Sequence, residues 1–135
     1  MKILVTGNEG YIGTILAQKL VNAGFEVAGY DTGYYNAGWL YDGVNKLTQV
    51  IKKDIRDVTL PDLIGFDVIV HLAELSNDPL GETNEELTRK INYLASVELA
   101  KKAKAAGVAR FIYSSSCSVY GVATYELMTE ESKTN

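Results

Sequence analysis

The sequence predicts an α/β domain: a doubly wound parallel sheet of five strands in the order 3-2-1-4-5, with helices on both faces in three layers. Two observations and one rule of chain connection predict it. Short apolar runs of strand length alternate with segments of helical period from residue 2 to residue 113. The first strand-like run opens directly into a glycine-spaced turn and a helix. Parallel strands also need long crossovers, and right-handed crossovers lay their helices on the sheet faces. In this order the winding reverses between strands one and four. A ligand is therefore expected in the crevice at the C-terminal ends of those strands.

Each element has its own signal. Residues 2–6 (Lys2-Ile3-Leu4-Val5-Thr6) are a buried-strand run closed by Gly7. Ile12, Ile15, Leu16 and Leu20 recur on one helical face, and Gly24 can end that helix. Residues 25–31 read as the second strand and 33–46 as a Gly-, Tyr- and Asn-rich loop with room for a short helix. Residues 48–54 form a weaker third strand, 61–65 a connector, and 66–72 (Phe66-Asp67-Val68-Ile69-Val70-His71-Leu72) a strong fourth strand. Thr83 and Glu86 fit a capping box at the start of a long helix with Leu87, Ile91, Leu94 and Ala95 on its apolar face. Lys101, Lys102 and Lys104 complement the negative end of its dipole, and Gly107 closes it. A fifth strand at 109–113 leads into Ser114-Ser115-Ser116-Cys117-Ser118. Residues 1–121 form the binding domain and 122–135 a polar tail.

Composition sets the broad class. At 135 residues and 14.8 kDa there is room for one domain, and 47% hydrophobic with 22% charged residues is ordinary for a globular chain. A formal charge of −4 is the wrong sign for a nucleic-acid binder. No apolar run reaches the roughly 18 residues of a membrane span. One cysteine, Cys117, can form neither an internal disulfide nor a cysteine-rich metal site, so a reducing, cytoplasmic setting is expected. Cys117 itself reads as a small buried residue.

The chemistry is written most clearly in Thr6-Gly7-Asn8-Glu9-Gly10-Tyr11-Ile12-Gly13, a strand, then G-x-x-G-x-x-G, then a helix. Gly7 permits the tight turn, Gly10 lets backbone approach a pyrophosphate, and Gly13 lets helix and strand pack closely. The helix start offers free N–H groups and a partial positive charge to phosphate. Asp31 ends the second strand 18 residues after Gly13. There a carboxylate can accept hydrogen bonds from an adenosine ribose, and it would repel a 2′-phosphate, which favours NAD over NADP. The competing reading of the glycines is a plain strand–helix turn, and of Asp31 a solvated turn residue. Tyr34, Tyr35, Trp39 and Tyr41 suit either a lid over a cofactor or loop packing. His71 reads as a packed strand-end residue, not a base.

Thr6-Gly7-x-x-Gly10-x-x-Gly13, Asp31, Asp54-Ile55-Arg56-Asp57, His71-Leu72-Ala73 and Ser114-Ser115-Ser116-x-x-Val119-Tyr120-Gly121 follow one another at fitting intervals. In this set the chain resembles the extended short-chain dehydrogenases/reductases, specifically the NAD-dependent epimerase/dehydratase group that acts on sugar nucleotides. The resemblance covers residues 2 to about 121 and implies a Rossmann-type fold, incomplete relative to the family. It implies that Tyr11 and Ile12 lie under the pyrophosphate, that Asp31 holds the ribose, and that Asp54 and Ile55 flank the adenine. Leu72, Ala73 and Glu74 would line the cofactor, with Asn92 and Ser114 near it. Ser116 matches the family's catalytic Ser/Thr, which hydrogen-bonds the reacting hydroxyl or carbonyl of the sugar.

Two departures accompany the resemblance. Glu74 stands where the family more often has a small residue. The family's catalytic Tyr-x-x-x-Lys pair would fall past Asn135, and neither Tyr120 (followed by Thr124) nor Tyr125 (followed by Thr129) supplies it. The expectation is the NAD-binding portion of a sugar-nucleotide epimerase or dehydratase, inactive on its own, with NAD and, in the whole parent, a nucleotide sugar as partners. The alternative is a non-catalytic NAD-sensing module, with a flavin or mononucleotide binder as a further one. An open edge at strand five and an uncovered 83–106 helix predict a homo-oligomer.

Overall fold

A computed structural model describes residues 1–35, 47, 49–76, 84–121 and 127–134. In chain order it contains β1 (Lys2–Thr6), α1 (Tyr11–Asn22), β2 (Glu26–Asp31), β3 (Val50–Lys52), 3₁₀ turns at Ile55–Asp57 and Leu60–Leu63, and β4 (Val68–His71). A continuous helical segment follows as α2 (Glu85–Thr88), a π-helical stretch (Arg89–Ala95) and α3 (Ser96–Ala105). β5 (Arg110–Tyr113) and a 3₁₀ turn at Cys117–Tyr120 come next.

The five strands pair in parallel in the order β3-β2-β1-β4-β5, the predicted topology. Alternation of side chains divides the core in two. Leu4, Ala28, Tyr30 and Ile69 face Ala95, Leu99 and Ala103 of the long helix and Leu63 of the 3₁₀ turn. Ile3, Val5, Val27, Val68 and Val70 face Ala17, with Leu16 and Leu20 packed against them. Leu4, Ile69 and Leu99 are fully removed from water, each contributing about 1.5–3 kcal/mol of hydrophobic free energy.

Several local expectations are corrected. The buried face of α1 runs through Gly13 and Ala17, while Ile12 and Ile15 are exposed. A Cβ at Gly13 would stand 2.0 Å from the Gly7 carbonyl oxygen. The helix lies so close to the loop that small residues, not the largest ones, set its contact line. On the long helix Leu94 is likewise exposed and the packed line is Ala95, Leu99 and Ala103. The N-cap is Asn84, whose side chain accepts from the Leu87 amide at 2.9 Å. Thr83, expected as the cap, lies outside the described residues, as do Trp39, Tyr41 and most of the 33–46 loop. Cys117 is exposed, because it begins a 3₁₀ turn beyond the sheet edge. Among the described residues no helix is long and apolar enough to cross a membrane.

Candidate functional site

β1 delivers Thr6 to the C-terminal edge of the sheet, and the chain turns at Gly7, whose amide donates to the Tyr30 carbonyl at 2.9 Å. Gly10 caps α1 with extended backbone, no side chain caps the helix start, and no acidic residue stands in its first turn. The first intrahelical bond is Thr14 N–H to the Gly10 carbonyl, so the amides of Tyr11, Ile12 and Gly13 have no carbonyl partner within the helix. A Cβ built at Gly10 would meet only the Gly7 oxygen, at 3.4 Å. The protein itself thus barely needs glycine there, whereas a diphosphate lying on the uncapped amides does. Tyr11 and Ile12 are exposed beside it, at 97% and 59%.

Asp31 closes the other side. Its Oδ2 accepts from the Glu9 amide and its Oδ1 from the Gly33 amide, both at 2.9 Å. The carboxylate is thereby fixed next to the glycine-rich loop. The donor set and the bare helix start fit a dinucleotide.

Asp54 caps the Ile55–Asp57 turn and is gripped by Arg56 through Nε at 2.9 Å and a terminal nitrogen at 2.7 Å. That hydrogen bonding to Arg56 holds the Asp54 carboxyl below its usual range despite partial burial. The Ile55 side chain is 5% exposed and belongs to the core. What Ile55 can present to a ligand is therefore its backbone.

Behind the cleft runs a buried polar chain that sequence reading missed. Thr6 Oγ1 lies 2.6 Å from His71 Nδ1, and His71 Nε2 lies 2.8 Å from Ser96 Oγ. Ser96 donates its own proton to the Asn92 carbonyl at 2.8 Å, so it must accept from His71. His71 is then the neutral Nε2–H tautomer, with Thr6 donating to Nδ1. Thr6 Oγ1 in turn accepts from the Leu72 and Ala73 amides at 3.2 and 3.3 Å. His71 is fully buried, and that burial pushes its pKa down to about 4. The readable signal was Asn92 and Ser96, polar residues one helical turn apart.

Asn92 sits in the π-helical stretch and grips Leu75 twice, accepting from its amide at 2.9 Å and donating to its carbonyl at 3.0 Å. It therefore fixes the segment after β4, which carries Leu72, Ala73 and Glu74. Glu74 turns toward β5 and accepts from the Tyr113 hydroxyl, and this hydrogen bond with burial pushes the phenol up to about 12. Ser114 follows β5, its amide donating to the His71 carbonyl at 3.3 Å. Ser116 is exposed and caps the last 3₁₀ turn, accepting from the Ser118 amide at 3.1 Å. A groove of about 280 Å³, lined by Arg56, Lys90, Leu94, Ala95, Glu98 and Lys102, lies against the long helix.

Taken together, the sheet order, the glycine-rich loop and the acidic end of β2 define a dinucleotide-binding domain of the short-chain dehydrogenase/reductase type. Residues 3–135 match the NAD dependent epimerase/dehydratase family, and the chain belongs to that NAD-dependent family. It is 30% identical over 127 residues to a UDP-glucose 4-epimerase of Streptomyces lividans, covering 89% of this chain and 37% of that protein. Among solved structures it superposes with TM-score 0.86 and 26% identity on TunA, an NAD-dependent NDP-hexosamine 5,6-dehydratase of tunicamycin biosynthesis, covering 99% of this chain and 43% of that one. MoeE5 in complex with UDP-glucose and NAD matches with TM-score 0.83 and 29% identity, over 100% of this chain and 42% of that one. The chain spans about two-fifths of the length of the curated relatives it matches first.

Proposed function

We propose that this chain is the NAD-binding portion of an oxidoreductase-type epimerase or dehydratase acting on a nucleotide sugar. The observation that carries the reading is the uncapped start of α1 behind Gly10, with the Asp31 carboxylate fixed beside it. NAD, when bound, supplies a hydride acceptor that can later return the hydride. The chain's own groups bind and orient. The amides at Tyr11 and Ile12 hold the pyrophosphate, helped by the positive end of the helix dipole. Asp31 accepts from the adenosine ribose hydroxyls, and Asp54 with the Ile55 backbone borders the adenine. Leu72, Ala73 and Glu74 line the cofactor beyond β4, in a segment that Asn92 and Thr6 hold in place. Ser114 stands at the mouth of the cleft, and Ser116 presents its hydroxyl there to the reacting oxygen of the sugar.

Exposed Tyr93, Leu94 and Val97 on the long helix and Ile112 and Tyr113 on β5 support self-association of the chain. The single exposed thiol, Cys117, fits a reducing compartment, and we place the chain in the cytoplasm.

Calorimetric titration tests the cofactor assignment. NAD should bind at least about tenfold more tightly than NADP, a difference of about 1.4 kcal/mol, and Asp31→Ala should narrow that gap. Equal affinities in the unmutated chain would overturn the role of Asp31.

A further inference from the structure

Glu9 brings a formal negative charge into the loop assigned above to a diphosphate, yet it is only 7% exposed. Its charge is met: Lys52 Nζ donates to both carboxylate oxygens, with the lysine side chain 47% exposed. Lys52 is the last residue of β3 and stands opposite Asp31 in the parallel register. Side chains of directly paired residues leave a sheet on the same face. Tyr30 and Ile51, one residue back, pack in the core on the long-helix side, so Asp31 and Lys52 project toward the α1 side. There the Glu9 amide also meets Asp31 Oδ2. Two carboxylates and one ammonium are thus gathered over the C-terminal ends of β2 and β3.

If Asp31 holds the adenosine ribose, a 2′-phosphate would arrive within this group. Lys52 has the position of its natural counterion, beside Asp31, on the same face and half exposed. Glu9 already occupies it. Resting on the ribose assignment made above, we infer that Glu9 is a specificity-determining residue for the dinucleotide: by holding Lys52 in an ion pair it withholds the ammonium from a 2′-phosphate and so excludes NADP. Asp31 repels the extra phosphate, and Glu9 removes the cation that would offset that repulsion. The same pair also braces the loop against β3. A brace alone would alter NAD and NADP affinity in equal proportion, whereas withholding the cation alters their ratio.

The test is calorimetric titration of NAD and NADP against the chain and its Glu9→Gln, Lys52→Met and Glu9→Gln/Lys52→Met variants. Glu9→Gln should raise NADP affinity about fivefold relative to NAD, the ratio that about 1 kcal/mol gives. The double variant restores the local formal charge but lacks the ammonium, so it should return to the unmutated ratio. Lys52→Met alone should gain no NADP affinity. Glu9→Ala reads the same ratio should the glutamine variant fail to fold. NAD binding with an unchanged ratio in both Glu9 variants, or a gain that survives loss of Lys52, would overturn the inference while leaving the cofactor reading intact. No binding of NAD by the unmutated chain would overturn both.

Discussion

Acidification should destabilise this fold through His71 before it does so through the partnered aspartates. The imidazole is fully buried among Thr6 of β1, Ser96 of α3 and the rings of Phe111 and Tyr113 on β5. Its pKa falls from 6.5 to about 4 because burial disfavours the cation. The unfolded chain therefore takes up a proton that the folded chain refuses. Stability contributed by the neutral ring is present above the unfolded pKa and is lost as pH falls toward the folded one. Linkage between those two values gives a loss of about 2.5 kcal/mol between about pH 7.5 and about pH 4.5. Asp54 and Asp62, held below the ordinary 3.8 by their partners, lose their contribution mostly below about pH 5 and so touch only the foot of that window. The assay is urea unfolding at intervals of pH, with His71→Asn as control. That variant should be less stable at neutral pH by about 1–3 kcal/mol, through its lost hydrogen bonds. Its stability should be nearly flat across the window. Because the chain has a single histidine, its imidazole resonance should also stay neutral to about pH 4. A flat profile in the unmutated chain, or an equal slope in the variant, would refute the reasoning.

The second and third glycines of the loop should separate binding from folding. Gly13→Ala, which drives a Cβ to 2.0 Å from the Gly7 oxygen, should lower stability by about 3 kcal/mol in denaturant titration, whereas Gly10→Ala should fold normally and lose most NAD affinity. Asn92→Ala, which releases both hydrogen bonds to Leu75, should speed amide exchange at residues 72–76 more than in β4 itself. Sedimentation velocity across micromolar concentrations should show self-association, weakened by Ile112→Lys at the exposed β5 edge, and a clean monomer throughout would count against that surface.

The strands and their order were legible because β1, β2 and β4 are apolar runs bounded by glycine or aspartate, and the spacing between them leaves room for the crossovers that parallel strands need. The glycine-rich loop and Asp31 were legible for the same reason: their chemistry lies within one βαβ unit. What failed did so physically. Counting large apolar residues put Ile12 and Ile15 on the buried face of α1, but close packing at Gly13 and Ala17 won. A run of one helical period from 83 to 106 gave no hint that its winding widens at Arg89–Ala95. Ile55 was named from a site motif that says nothing of its side chain, which completes the core and leaves its backbone to face a ligand. The Glu9–Lys52 pair and the Thr6–His71–Ser96 chain join residues that only the sheet order brings together, so no local pattern could announce them.

The π-helical stretch has one more consequence. Regular winding turns about 100° per residue. Removing a single residue between Asn92 and Ala95, with Ala95, Leu99 and Ala103 kept in their seats, would swing the asparagine amide off Leu75 and let the segment after β4 drift. In this helix the number of residues, as much as their identity, carries the message that shapes the cleft's wall. A frame-preserving loss of one codon there would be read out at the ligand while leaving the hydrophobic interior almost untouched.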